Sequence, residues 1–421
     1  MNRQFIISGR RKLEGEYCVQ GNKNAALPLI SAALLTRGKT AFRRVPRIAD
    51  VSNLLRLVEA LGVEVTWKDD SLILDTSGVR GEELPANLVK KLRGSVLLFG
   101  SLAPNTNRLY CAGLPGGCSI GSRSLDMHWK VFRSAGFSVE ESADGVELKR
   151  ERQVAMPEVY MEESSVTATE NALLLFAALG RGIIQNPARE PHVFSLIEFL
   201  GRLGCTIELH PLYFEVKSGL TPPAQVDFKI PSDYVDIGTI AMAAAVTNGN
   251  VLLRGVCRQD LLGIQSVLDS FGISFEMLGS GALRVSCGKR ASPPRITAGP
   301  WPLFPTDLVS LAIVLATQSE GFCLVHDWMY ESRMFFVDKL KRMGAQITMC
   351  DPHRVLVEGP SPLRGVSLES PDIRAGMAMV VAGLCAEGTT TIEHAEVILR
   401  GYENVIERLQ AIGAEIAQDI V

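Results

Sequence analysis

Residues 57–65 read Leu57-Val58-Glu59-Ala60-Leu61-Gly62-Val63-Glu64-Val65. The apolar spacing before the glycine is that of a helix face, and the alternation after it is that of a strand. Glycine at the joint reads as a helix terminator, because it enters the left-handed region without a Cβ penalty. The same joint recurs at 132–139, 199–207, 268–275, 340–347 and 409–416, around Gly136, Gly204, Gly272, Gly344 and Gly413. Successive glycines lie 74, 68, 68, 72 and 69 residues apart. That period is too long for ordinary solenoid repeats and suits a compact α/β unit. A second element keeps the same beat: a small-residue helix, a turn and a β-rich strand, at 24–35, 93–102, 169–179, 235–246, 307–316 and 374–386. Together they predict six copies of a strand, helix, strand, helix, strand, strand unit, three to a domain.

Composition narrows the function. The 421 residues carry 43 Lys and Arg against 46 Asp and Glu, a net charge of −3, which argues against a nucleic-acid partner held by a basic field. Apolar residues at 47% and charged residues at 21% are globular proportions. No uninterrupted apolar run is long enough to span a membrane, and Met1–Gly9 is not followed by a signal-peptide core, so a cytoplasmic location is expected. The nine cysteines are scattered without a C-x-x-C pair, and the six histidines never fall at ligand spacing. Neither a disulfide framework nor a metal site is expected.

The starts of the small-residue helices carry the chemistry: Lys23-Asn24, Arg93, Thr169-Glu170-Asn171, Asp236, Thr306-Asp307, and Asp372 with Arg374. Asp or Thr there is ordinarily a cap, and Asp307 has that reading open to it. Lys23, Arg93 and Arg374 instead oppose the helix dipole. Two readings stand: an anion held among them, or scattered surface cations. The second irregularity is Leu114-Pro115-Gly116-Gly117-Cys118-Ser119-Ile120-Gly121-Ser122-Arg123, three glycines and a proline around a cysteine. A loop thiol near cations is placed for reactivity, against the alternative of an incidental surface cysteine.

These residues resemble the motifs of the UDP-N-acetylglucosamine enolpyruvyl transferase (1-carboxyvinyltransferase) family. The matching stretches are Gly21-Asn22-Lys23-Asn24-Ala25-Ala26-Leu27-Pro28, the Cys118 loop, Phe304-Pro305-Thr306-Asp307, Glu331-Ser332-Arg333, Asp372-Ile373-Arg374-Ala375 and Arg400-Gly401-Tyr402-Glu403. They run in order, almost end to end. The resemblance implies a two-domain inside-out α/β barrel of six βαβαββ repeats. One domain would span 22–230, the other 1–21 plus 231–421, with the active site in the cleft between them. It implies transfer of enolpyruvyl from phosphoenolpyruvate to the 3-hydroxyl of UDP-N-acetylglucosamine with release of phosphate. The implied partners are those two small molecules, with no obligate protein partner.

Carried over by motif, Lys23, Arg123 and Arg400 would hold the donor phosphate, and Arg333 and Arg374 its carboxylate or neighbouring charge, with Asn24 beside them. Asn24, Arg93 and the backbone near Met329 would contact the acceptor sugar. Arg123 and Met127 would flank the uracil, while the Ser124-Leu125-Asp126 stretch and Ser165-Val166-Thr167 read the uridine diphosphate part. Asp307 would take the proton from the attacking hydroxyl. Cys118 would be the general acid toward the donor methylene, with Lys23 as third catalytic group. A doubly anionic donor needs several cations in a dry cleft, and a weak hydroxyl nucleophile needs a carboxylate base within reach. No metal or organic cofactor is required by this chemistry.

Glu163 departs from the pattern: it stands where the family usually carries lysine, and Thr167 stands in place of a common glycine. A carboxylate near a diphosphate is repulsive, so acceptor recognition is where alternatives stay open. A paralogue could use the same chemistry on another uridine nucleotide, and a non-catalytic relative could bind nucleotide-sugar.

Overall fold

In the computed structural model, which describes residues 3–116, 124–279 and 281–420, the chain forms six four-stranded sheets. One sheet shows the plan. Strands Glu83–Leu84 and Arg108–Ala112 run parallel, and Gly145–Arg150 and Phe137–Ser142 add antiparallel in turn. A parallel pair cannot be closed by a tight turn and needs a crossover, which here is the small-residue helix Leu97–Leu102. The repeats put these helices inside. Every residue of Tyr234–Val246 and of Val309–Thr317 is buried, so neither helix needs a polar face. The strands alternate, as in Arg354–Gly359, with one face turned to the core.

The six glycine joints adopt the backbone expected of them, with φ of 92°, 90°, 86°, 76°, 104° and 95° from Gly62 to Gly413. Helix boundaries differ from expectation at three entrances. Arg93–Val96 and Thr306–Leu308 are short 3-10 turns ahead of the α-helices, and the third helix begins at Val166, ahead of the expected Thr169. A tightened first turn is a common way to start a helix.

The described residues fall into two compact units, one from 21 to 231, the other from 3 to 20 with 232 to 420. Each has its own apolar core. Two sheets are closed by strands that lie next to the points where the chain passes from one unit to the other. Strand Glu14–Cys18 pairs in parallel with Asn250–Arg254, and Gln225–Lys229 with Lys39–Arg43. The first pair joins strands on either side of the stretch 21–231, and the second joins the two ends of that stretch, so each sheet stays within its own unit. In the sheet formed by Ser367–Glu369, Thr389–Glu393 and Glu415–Ile420, the N-terminal strand Arg3–Ser8 fills the place that the last hairpin strand holds elsewhere. No helix among the described residues is long and apolar enough to cross a membrane.

Candidate active site

The entrance of the helix Val309–Thr317 holds a cluster of opposed charges. Asp307 lies in the 3-10 turn and caps no helix. Its Oδ1 accepts from Arg333 Nη2 at 3.1 Å, and its Oδ2 from Arg374 Nε at 3.1 Å and Nη2 at 2.9 Å. Both arginines are buried, at 2% and 6% exposed, whereas the Asp307 side chain keeps 28% of its surface open. Arg374 sits in the first turn of Ile373–Cys385, whose N-cap Asp372 accepts from the N–H groups of Arg374 and Ala375. The dipole conflict read from the sequence is therefore met in part inside the protein. Arg374 leans over the ring of Tyr402 at 5.4 Å, and burial pushes that phenol above its ordinary range.

Behind Asp307 lies Asp327, fully buried at the end of strand Gly321–Asp327. It accepts from the backbone N–H of Met329 at 2.9 Å and from the Thr306 hydroxyl, and stands 3.9 Å from Arg333 Nε. Sequence reasoning missed it, since nothing local marks a carboxylate that serves three separate segments. Arg400 ends the 3-10 turn Ala395–Arg400 in the same unit and is half-buried.

In the other unit, Lys23 opens the helix Lys23–Ala33, capped by Asn22, and its Nζ lies 2.6 Å from Asp50 Oδ2. Asp50, 2% exposed, was also missed: its place in the first turn of Ala49–Ala60 reads as an ordinary dipole partner. Pro28 inside the Lys23 helix takes away the N–H that the Asn24 carbonyl would have received, which leaves a polar edge at this entrance. Arg93 reaches both sides of the cysteine loop, donating to the carbonyls of Pro115 at 3.2 Å and Ser124 at 2.9 Å. Cys118 and Arg123 themselves lie outside the described residues.

Ser124 and Asp126 exchange hydrogen bonds at the start of Asp126–Ser134; Leu125 is buried there and Met127 half-buried. Ser165, Val166 and Thr167 begin the helix Val166–Leu179, whose N-cap has no side-chain bond. A buried network fixes Thr167. Asn171 Oδ1 accepts from Gly100 N at 3.0 Å, and its Nδ2 donates to the Val96 carbonyl at 3.0 Å and to His128 Nδ1 at 2.8 Å. His128 Nδ1 is thereby an acceptor, so its proton sits on Nε2, 3.2 Å from Thr167 Oγ1. Burial, with the charge of Arg93 adding to it, pushes His128 down to about 3. Glu163 is exposed.

Among the described residues, Glu208, His210 and Glu215 bring potential ligand atoms within 4.8 Å of one another. Lys217, 2.7 Å from Glu215 and 3.5 Å from Glu208, already supplies the positive charge there.

Comparisons with known proteins converge. A model of the EPSP synthase (3-phosphoshikimate 1-carboxyvinyltransferase) family matches residues 7–409. The UDP-N-acetylglucosamine 1-carboxyvinyltransferase of Bradyrhizobium diazoefficiens is 40% identical, over 98% of this chain and 97% of its own. That of Treponema denticola is 38% identical, over 98% of each. Among solved structures, the enolpyruvyl transferase NikO from Streptomyces tendae superposes with a TM-score of 0.90 at 22% identity, covering 100% of this chain and 99% of its own. EPSP synthase from Acinetobacter baumannii gives 0.75 at 19%, covering 100% of both chains. At those identities the structures speak for the fold, which agrees with the six-repeat inside-out reading.

Proposed function

Since the chain belongs to the EPSP synthase (3-phosphoshikimate 1-carboxyvinyltransferase) family, we propose that it transfers enolpyruvyl from phosphoenolpyruvate to the 3-hydroxyl of UDP-N-acetylglucosamine. One observation carries the reading: relatives bearing that activity in their names match at 37–40% identity over 98% of the chain. The product is a precursor of peptidoglycan, and the enzyme works in the cytoplasm on small molecules without a nucleic-acid, membrane or obligate protein partner.

Asp307 takes the proton of the acceptor hydroxyl, and Cys118 gives one to C3 of the donor. The new C–O bond forms at C2, whose positive character the donor phosphate oxygen shares. Loss of a C3 proton and departure of inorganic phosphate then restore the double bond. Lys23, Arg123 and Arg400 hold the phosphate, Arg333 and Arg374 the carboxylate. A guanidinium fork suits a planar carboxylate, and buried cations hold an anion better than exposed ones. Asn24, Arg93 and the Met329 backbone meet the sugar. Ser124 to Met127 and Ser165 to Thr167 meet the nucleotide, where the Thr167 hydroxyl, receiving the His128 proton, has its own hydrogen free to donate to a phosphate oxygen.

A second reading, the same chemistry on a different uridine nucleotide, is favoured by Glu163 and Thr167 in place of lysine and glycine. Phosphate release from phosphoenolpyruvate with a panel of uridine nucleotides tests both. Release with UDP-N-acetylglucosamine is expected. Release with another nucleotide alone selects the second reading, and no release with any leaves a nucleotide-sugar-binding relative.

A further inference from the structure

We propose that Asp327 is a positioning residue for the transfer: it shares the charge of Arg333 with Asp307 and so sets how readily Asp307 accepts the acceptor's proton. The inference rests on reading Asp307 as the base.

The geometry asks for a reason why Asp327 is a carboxylate at all. Its hydrogen bonds come from the Met329 N–H and the Thr306 hydroxyl. The first reaches Oδ1 and the second Oδ2; an asparagine would keep the first through its oxygen and the second by donating from its NH2 to Thr306 Oγ1 with the hydroxyl turned round. The negative charge is therefore surplus to the hydrogen bonding, and a fully buried carboxylate is costly unless its charge is used. Arg333 is the group within reach, 3.9 Å from Asp327 and 3.1 Å from Asp307, with its Nε buried and without a hydrogen-bond partner.

Counted together, Arg333, Arg374, Asp307 and Asp327 are neutral. The donor's carboxylate adds one negative charge. Transfer of the acceptor's hydroxyl proton to Asp307 removes it, as the sugar oxygen bonds to C2 of the donor. The oxygens of Asp327 are turned to Thr306 and Met329, so the proton goes to Asp307. In the free protein both arginines hold Asp307, and a carboxylate held by two guanidiniums is a weak base. The pull of Asp327 on Arg333 keeps that hold from being complete. Other ionisable groups bear on the cluster: Asp233 and Tyr402 act on Arg374, and His353 bonds the Asp327 carbonyl through Nδ1 at 2.7 Å. All are unchanged in the variants below, so differences between profiles report on Asp327.

The test is Asp327→Asn in the full chain, with phosphate release measured against pH at saturating phosphoenolpyruvate and UDP-N-acetylglucosamine. With the competing charge gone, Arg333 turns wholly to Asp307. The acid limb of kcat is expected to move down by about half a pH unit or more, and kcat to fall about ten-fold, with KM for the nucleotide within about two-fold. Asp327→Glu, which keeps the charge, should leave the limb in place even where kcat drops. A limb that stays put in D327N, or moves equally in D327E, overturns the proposal. If D327N does not fold, Thr306→Val decides: freeing Asp327 to draw Arg333 away should move the limb up, and an unmoved limb overturns the inference. Absence of turnover in the wild-type chain would sink the parent reading instead, and this one with it.

Discussion

His128 shows how a side chain that stays neutral can still direct chemistry. Its ordinary value of 6.5 is lowered to about 3, chiefly by burial. Below pH 6.5 the unfolded chain binds a proton that the native chain refuses, so stability falls as pH drops from there toward 3. The loss is about 1.4 kcal/mol per pH unit in that window. His128→Gln removes this titration: its stability in denaturant at pH 7 should be lower by about 1–3 kcal/mol from the disturbed network, yet the gap to wild type should narrow at pH 5. A gap that stays constant would mean that the imidazole is charged in the native state. Glu163 belongs to the same scale. Its sequence position is telling because a like charge near a diphosphate is repulsive. Glu163→Lys is expected to lower KM for UDP-N-acetylglucosamine about five-fold, the scale of one exposed charge pair. An unaltered KM would show that residue 163 does not face the acceptor.

At the scale of elements, the joint between helix and strand was legible six times over, because a left-handed residue leaves a glycine and the period repeats it. The energetic weight of each joint was not legible, since it depends on what the chain returns to pack there. At Gly136 a Cβ would meet the Arg152 carbonyl oxygen at 2.3 Å, with φ at 90°. At Gly413, with φ at 95°, the nearest atom is the Lys12 carbonyl oxygen at 3.2 Å. Gly413→Ala should therefore cost about 1–2 kcal/mol, chiefly the left-handed penalty, with only a slight shift of the Lys12 carbonyl. Gly136→Ala should cost clearly more, because backbone must move as well. Equal losses in chemical denaturation would contradict the packing argument. The helix entrances were legible for a related reason: Lys23, Arg93 and Arg374 break the dipole rule in the sequence itself. Their counter-ions were not. Asp50 and Asp307 are distant in sequence from the cations they meet, and carboxylates near a helix start are too common to stand out.

For the whole molecule, repeats predict how many units there are but not which strand completes which sheet. The pairing of Arg3 with Ile420 and of Ser8 with Glu415 leaves no local trace, because a strand's partner is chosen by burial and register across the chain. That pairing makes a strong demand. Arg3–Ser8 lies between Thr389–Glu393 and Glu415–Ile420, so it is a central strand whose loss would expose two edges at once. Its antiparallel register with Glu415–Ile420 sets Arg3 beside Ile420. Joining Val421 to Met1 through a short glycine-rich turn, and opening the chain between Asp69 and Asp70 at the exposed tip of another hairpin, should give a permutant that unfolds cooperatively. Its midpoint should lie within a few degrees of the native chain, since every sheet keeps its strands and exposed loop tips tolerate a break. Deletion of residues 1–9 from the native chain, by contrast, should abolish cooperative melting of the unit built on residues 232–420. A truncated chain that melts like the full one would show that the sheet closes without its first strand, and that the six-fold repetition is not what holds this unit together.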